Sequence, residues 1–249
     1  MPRAAHLVAA VALAWSGLAC AKTEVHYRLP WPDGLTFMIV QAPGGRITSH
    51  FLKSNLNAVD IEMPEGIQVL AAREGVVTSA ESWQGADPDE PPASYDGNFV
   101  RVRHADDSFA LYAHLKHEGV VVRPGEAVRA GQLLGYSGAT GDVEKPHLHF
   151  GVSRWIRNKA GWMEEVSLPI TFTVGVPAYA FKPYAALIVT PNYTGPPERP
   201  RFPSEARGPV YVAPRELTPE EELASWAKIA AFFACGVLAM YVSWKLSQG

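Results

Sequence analysis

The sequence has little cysteine, no basic run and little helical periodicity, and each absence excludes a class of protein. Its two cysteines, Cys20 and Cys235, lie near opposite ends of the 249-residue chain. The central region therefore has no disulfide and needs a hydrophobic core or a metal for stability. The formal net charge is -3, and no Lys/Arg run is interleaved with aromatic residues. A nucleic acid is not expected as a partner.

The first 21 residues have the organisation of an export signal. A basic start is followed by an Ala-rich apolar stretch and by Ala-Cys-Ala, which has the small-x-small form of a signal peptidase site. Residues 1–21 are therefore predicted to be a cleaved signal peptide. An uncleaved anchor and lipidation at Cys20 are the alternatives.

A second apolar run lies near the other end of the chain. Residues 229–244 contain no charge and are bracketed by Lys228 and Lys245, which predicts a membrane span at about 228–245. A capping Thr followed by Pro and two Glu predicts that the surrounding helix covers 218–247. A buried amphipathic helix is the alternative.

The part between these runs is expected to form one mainly β domain. Over residues 22–185, short β-rich runs alternate with Gly, Pro, Asn and Asp, which predicts an antiparallel sheet or sandwich. The segments on either side of residues 105–108 form a hairpin candidate. Prolines then recur over residues 186–217, where apolar periodicity fades, and this composition predicts an extended linker.

The segment at residues 146–152 (PHLHFGV) carries the most pointed local pattern. Side chains alternate between the two faces of a strand, so its three apolar residues can pack into the core. His147 and His149 then project together from the other face, with Cα atoms about 6 to 7 Å apart. A histidine pair at this spacing suits a metal site, although a partly exposed strand with two polar residues gives the same pattern.

A metal site needs further ligands, and the chain supplies candidates. Asp60 lies among apolar neighbours, where an unpaired carboxylate is costly, although a turn-capping Asp is the simpler alternative. His50 precedes it, and His114 ends a predicted strand. No His-Glu-x-x-His motif occurs, because His117-Glu118 has no second His four residues after the first, so a Glu-based zinc protease is excluded.

Four ordered stretches resemble the lysostaphin-type zinc endopeptidases, which cut peptidoglycan cross-links. They are NAVDIEMPEGIQVLAAREGVV (57–77), GNFVRVRHADDSFALYAHL (97–115), VRPGEAVRAGQLLGYSGATG (122–141) and PHLHFGV (146–152). The resemblance covers residues 29–174. It implies that His50, Asp60 and His149 bind Zn²⁺ and that His114 and His147 are catalytic histidines beside the zinc-activated water.

One position departs from the family pattern. In the compact form of the motif the first ligand His stands four residues before the Asp, and here that position is Leu56. The nearest upstream histidine is His50, which requires residues 51–59 to loop out. His104 and His26 are weaker substitutes.

The resemblance implies a zinc endopeptidase that acts on peptidoglycan stem peptides or cross-bridges. Together with the two apolar runs, it predicts a protein on the periplasmic face of the bacterial inner membrane, held by its C-terminal helix. The alternatives are an inactive relative that regulates other wall hydrolases and a periplasmic metal carrier. Trp83, Trp155 and Trp162 are expected in the core or at a groove rim rather than lining a groove.

Overall fold

The computed structural model describes residues 25–45, 48–85 and 92–203. Within these ranges it has strands and no α-helix, which confirms the predicted mainly β, antiparallel fold. The strands are β1 (Tyr27–Arg28), β2 (Phe37–Gln41), β3 (Val59–Glu62), β4 (Gln68–Leu70), β5 (Gly75–Glu81), β6 (Asn98–Arg103), β7 (Phe109–Val120), β8 (Ala127–Val128), β9 (Leu133–Ser137), β10 (His147–Arg157), β11 (Met163–Ser167), β12 (Phe172–Val174), β13 (Tyr179–Phe181) and β14 (Leu187–Val189).

The predictions made for the two chain ends lie outside the described ranges. These are the signal peptide at 1–21 and the helix over 218–247 with its membrane span. In the part of the chain that the structure describes, no helix is long and apolar enough to cross a bilayer.

Eleven strands form one large antiparallel sheet. Its main path runs β14-β2-β3-β10-β7-β6-β5-β8, while β11 pairs with β10, and β9 joins β7 to β4. The other three strands form a small sheet in the order β1-β12-β13, in which β1 and β12 are parallel. The predicted hairpin is confirmed, since β6 and β7 pair on either side of residues 105–108.

Strand β10 lies at the centre of the large sheet, between β3 and β7. Leu148, Phe150 and Val152 are at most 1% exposed and face the core, as the alternating sequence predicts. The Phe150 ring packs against Tyr112 at 5.2 Å and Phe172 at 5.7 Å between centroids. Burial of each such side chain stabilises the fold by about 1.5–3 kcal/mol. The two histidines on the other face of β10 therefore project from a firmly packed strand.

Residues 186–203, predicted to be the first part of a linker, pack against the domain. Strand β14 pairs with β2. The Tyr193 hydroxyl accepts a hydrogen bond from the Leu29 N–H at 2.6 Å and donates one to the Thr173 carbonyl at 2.7 Å. The predicted domain boundary at residue 185 is therefore too early. The proline-rich composition obscured a short edge strand, a place where proline is tolerated.

Candidate metal centre and active site

Asp60 and His149 face each other across two paired strands. The antiparallel register of β3 and β10 places Asp60 directly opposite His149. Cα atoms of such pairs are about 4.5–5.5 Å apart, so their side chains meet. Oδ1 of Asp60 lies 2.9 Å from Nδ1 of His149, and the two side chains are 3% and 6% exposed. The pair is thus withdrawn from water.

His50 reaches this pair from the loop that precedes β3. Its Nε2 atom lies 3.2 Å from Oδ1 of Asp60, and its side chain is 2% exposed. Its ring meets the His149 ring edge-on, with 4.9 Å between centroids. Neither ring nitrogen of His50 has a hydrogen-bond partner among the described residues, so the approach to Asp60 lacks the alignment of a hydrogen bond. A buried polar atom without a hydrogen-bond partner lowers the stability of the fold by about 1–3 kcal/mol unless a cation binds it.

The three side chains fit a divalent metal ion. Their ligand atoms all lie within 4.8 Å of one another, and they are the one such group in the described ranges. Two His nitrogens and a carboxylate oxygen suit a catalytic zinc site, whose bonds of about 2.0–2.1 Å separate neighbouring ligand atoms by about 3.3–3.4 Å. The His50–Asp60 and His149–Asp60 distances, 3.2 and 2.9 Å, need only a small widening to match.

The carboxyl group of Asp60 is held in its charged form. Burial raises its pKa, but the hydrogen bond from His149 and the nearby ring of His50 outweigh burial and lower the pKa well below its ordinary value. A buried carboxylate is stable only beside a positive partner. The cluster therefore favours a bound cation or a protonated histidine.

His147 and His114 stand beside the cluster, each with one nitrogen engaged by the backbone. Nδ1 of His147 is 2.9 Å from the Lys145 carbonyl oxygen. Nδ1 of His114 is 3.0 Å from the Thr140 carbonyl oxygen. Because a carbonyl only accepts, each Nδ1 donates, and Nε2 carries the lone pair of the neutral ring. The rings lie 4.6 Å apart between centroids, and Nε2 of His147 is 3.9 Å from Oδ1 of Asp60.

His114 combines an unusual backbone with a shifted pKa. Its φ is 62°, a left-handed conformation that few residues other than glycine adopt. Its N–H donates to the Asp96 carbonyl at 2.9 Å, which fixes that conformation. Burial, and then the charges of His147 and His149, lower the pKa of His114 to about 3. The ring is therefore neutral at physiological pH, with Nε2 unprotonated.

Thr140 and Asn98 support His114, and the sequence did not single them out. The Asn98 N–H donates to Oγ1 of Thr140 at 2.9 Å, and that hydroxyl donates to the Leu115 carbonyl at 2.6 Å. The loop comes this close because Gly97 has no side chain: a Cβ there would lie 2.3 Å from the carbonyl carbon of Thr140. In sequence, a Thr followed by Gly is an ordinary turn pattern, and only the distant contacts reveal its role.

The two substitutes for His50 are not in the cluster. His104 is buried at the end of the β6–β7 hairpin, where its Nδ1 lies 2.7 Å from the Glu74 carbonyl oxygen. Burial lowers the pKa of His104. His26 is exposed, close to the start of β1. The structure thus brings His50, and neither substitute, to Asp60.

The antiparallel sheet carries a buried His-Asp-His cluster with two adjacent histidines, a donor set that could hold a metal ion. Residues 54–161 match the model of peptidase family M23, and the chain contains an M23 peptidase domain. The family resemblance carried by the motifs is thereby confirmed. The match includes Asp60, His114 and both histidines of β10, whereas His50 lies just before it.

Two relatives from other bacteria are similar in sequence to part of this chain. Peptidoglycan DD-endopeptidase ShyC of Vibrio cholerae is 32% identical over 115 residues, which cover 42% of this chain and 24% of that protein. Cell division protein DipM of Caulobacter vibrioides is 36% identical over 94 residues, which cover 38% of this chain and 14% of that protein. The chain thus spans a quarter or less of the length of these relatives.

Solved structures with a similar domain include the catalytic domain of lysostaphin from Staphylococcus simulans. It is 25% identical, with a TM-score of 0.34, over 54% of this chain and 88% of that chain. A zinc containing peptidase from Vibrio cholerae is 27% identical, with a TM-score of 0.34, over 51% of this chain and 33% of that chain.

Proposed function

We propose that this chain is a zinc-dependent endopeptidase that hydrolyses peptide bonds in peptidoglycan stem peptides or cross-bridges. The buried cluster of His50, Asp60 and His149 carries the proposal, because both ring nitrogens of His50 lack a hydrogen-bond partner among the described residues. The names of two aligned relatives, both peptidoglycan DD-endopeptidases of Vibrio cholerae, support the substrate class.

The three clustered side chains hold the metal in this proposal. His50 offers Nε2, Asp60 offers Oδ1 and His149 offers Nδ1, the atoms that lie closest together. A bound zinc ion supplies Lewis-acid polarisation of the scissile carbonyl and activates water for attack. The ionised carboxylate of Asp60 balances part of the positive charge inside a buried site.

Proton transfer falls to His147 and His114. Their Nδ1 atoms donate to backbone carbonyls, so Nε2 is the atom that takes a proton from water and returns it to the leaving amine. Burial keeps the His114 ring neutral. His147, whose side chain is 19% exposed, is the one that can exchange protons with solvent.

The test is incubation of the purified full-length protein with isolated peptidoglycan sacculi, followed by mass identification of released peptides. We expect new amino and carboxyl termini within stem peptides or bridges, and their loss after zinc chelation. His149→Ala should release none. His26→Ala, a change at an exposed histidine outside the cluster, is the matched control and should release them as the unmodified protein does.

The competing function, an inactive relative that regulates other hydrolases, depends on a missing first metal ligand. Leu56, at the compact ligand position, is 49% exposed and cannot bind a metal. The approach of His50 to Asp60 supports the catalytic proposal instead. Retention of zinc without any peptide release would favour the metal-carrier alternative.

Membrane attachment on the periplasmic face is also proposed, from residues 1–21 and 228–245 alone. We expect a reporter fused after Gly249 to be cytoplasmic and one fused after Pro209, in place of the remaining chain, to be exported. An exported reporter at Gly249 would contradict a single C-terminal span.

A further inference from the structure

Beyond the metal cluster, β10 continues as a two-stranded hairpin with β11. The pairing of β10 with β7 and then with β11 is regular over residues 149–157. Because side chains alternate along a strand, Ser153 and Trp155 lie on the same face of β10 as His149. The hairpin therefore extends the face that carries the metal cluster.

Side-chain contacts follow this face towards the hairpin. Oγ of Ser153 donates to Oε1 of Glu165 at 2.6 Å, and Nη1 of Arg101 donates to the same oxygen at 3.0 Å. Glu165 is the cross-strand partner of Trp155. The side chains of Arg101 and Glu165 are 24% and 17% exposed, so they form a polar, partly accessible surface between the cluster and Trp155.

Large apolar side chains are exposed where this face ends. Trp155 and Met163 are 44% and 53% exposed, and Met163 lies diagonally across the hairpin from Trp155. Trp162, in the hairpin loop, is 74% exposed. Met163 and Glu165 follow the residues matched by the family, 54–161, whereas Trp155 and Ser153 lie within them. Grouped exposed apolar residues of this kind mark binding surfaces.

We propose that Trp155 and Met163 form a platform for the glycan strand of peptidoglycan, an inference that rests on the proposed function. Trp155 follows His149 by six residues, so strand geometry separates their Cα atoms by about 20 Å. An extended peptide covers that distance with about six residues. A peptide held at the metal cluster and extended along this face would therefore lead an attached sugar towards the platform.

The chemistry of the platform suits a sugar. A sugar ring presents a face of C–H groups that stacks on an indole and a rim of hydroxyl groups that hydrogen-bond to polar side chains. Trp155 and Met163 offer the first kind of contact, and the partly exposed Arg101 and Glu165 offer the second. A lipid surface fits less well, because insertion of this face would bury the Arg101–Glu165 ion pair in hydrocarbon.

The experiment measures binding of glycan strands from which an amidase has removed the peptides. Titration calorimetry of the full-length protein should give about tenfold weaker binding for Trp155→Ala, and most of the binding should remain in Trp155→Phe. Ile156→Ala is the matched control, because Ile156 is the next residue, is 40% exposed and lies on the opposite face. It should bind as the unmodified protein does.

Equal weakening by Ile156→Ala, or no glycan binding by the unmodified protein, would overturn the platform. Binding to phosphatidylglycerol vesicles that is lost in Trp155→Ala, without glycan binding, would assign the face to lipid instead. Cleavage of a sugar-free cross-linked peptide by the unmodified protein tests the proposed function separately. Failure there with intact, Trp155-dependent glycan binding would refute the peptidase and leave the sugar platform.

Discussion

His149 and His114 differ in what their ring nitrogens contact, although the two rings are only 5.9 Å apart between centroids. Nδ1 of His149 is directed at Asp60, 2.9 Å away, whereas Nδ1 of His114 is held by the Thr140 carbonyl at 3.0 Å. In the proposed function, His149 is a metal ligand and His114 takes part in proton transfer. Their removal should have different consequences.

His149→Ala should lose both zinc and activity, since a site with three protein ligands holds its metal poorly when one is deleted. His114→Ala should keep one zinc per chain while turnover falls by about 10² to 10⁴, the usual contribution of a positioned acid or base. Metal analysis and turnover of each purified variant check this. Loss of zinc from His114→Ala would contradict the division of roles.

Thr140→Val should lower stability and turnover while zinc stays bound. The change removes the hydroxyl that joins the Asn98 N–H to the Leu115 carbonyl, at an expected loss of about 1–3 kcal/mol in the free energy of unfolding. Urea denaturation, turnover and metal content are the measurements. Thr140→Ser keeps the hydroxyl and should restore turnover; if it does not, the hydroxyl has no positioning role.

Among single residues, the sequence was enough to predict the clustered histidines of β10 but not the residues that support His114. The alternation over 146–152 was enough to put both histidines of β10 on one face, and the apolar setting of Asp60 marked it as unusual. His50 depended on the family resemblance, because no spacing rule connects it to Asp60. Asn98 and Thr140 were out of reach, since their roles come from contacts between residues 42 positions apart.

The loop that carries His50 is attached to strand β11. The Asn57 side-chain amide donates to Oγ of Ser167 at 2.9 Å, and the Ser167 N–H donates to the Lys53 carbonyl at 2.6 Å. Lys53 also pairs with Glu164 at 2.7 Å, but its side chain is 68% exposed, and such surface pairs contribute only about 0–1 kcal/mol. The hydrogen bonds at Ser167 are therefore expected to hold the loop.

Ser167→Ala should weaken zinc binding by about tenfold, because it removes the hydroxyl that accepts from the Asn57 N–H and side-chain amide. The amide then keeps only the Ser167 carbonyl, at 3.3 Å, and the loop that positions His50 is held less firmly. Competition with a zinc chelator of known affinity measures the dissociation constant. Glu164→Gln, which removes only the exposed ion pair, is the control. Equal zinc affinity in both variants would mean that the loop does not depend on β11.

Among the elements, alternation and turn residues were sufficient to predict β10 and the β6–β7 hairpin of the large sheet. The same signals did not predict β14, because its three residues lie among prolines, a composition typical of a linker. The small sheet was equally hidden, because its parallel pair, β1 with β12, joins segments far apart in the chain. Pairing between distant short segments leaves no local pattern to read.

In the whole molecule, Asp106 ties the β6–β7 turn to two other parts of the fold. Its carboxylate pairs with Arg73 at 3.2 Å, and its carbonyl accepts from Arg154 at 3.0 Å. Burial raises the pKa of Asp106, but hydrogen bonds from Ser108 and Arg73 outweigh it and lower the pKa to about 2. A carboxyl group whose pKa is lowered by folding stabilises the folded protein at pH values above its ordinary pKa. This stabilisation is lost as the pH falls through the lowered pKa.

The free energy of unfolding should therefore decline between about pH 4 and pH 2, and less steeply in Asp106→Asn, which has no carboxyl group to protonate. Denaturant titrations across this range measure the slope. Asp107→Asn, at a neighbouring carboxyl whose side chain is 69% exposed, should keep the slope of the unmodified protein. An unchanged slope in Asp106→Asn would show that this carboxyl does not set the acid limit.

We expect His50, Asp60 and His149 together to bind zinc. Anomalous diffraction recorded on either side of the zinc absorption edge, from crystals of the protein grown with zinc, tests it most directly. We expect one peak about 2.0–2.2 Å from Nε2 of His50, Oδ1 of Asp60 and Nδ1 of His149. A peak coordinated without His50, or no peak between these residues, would contradict it.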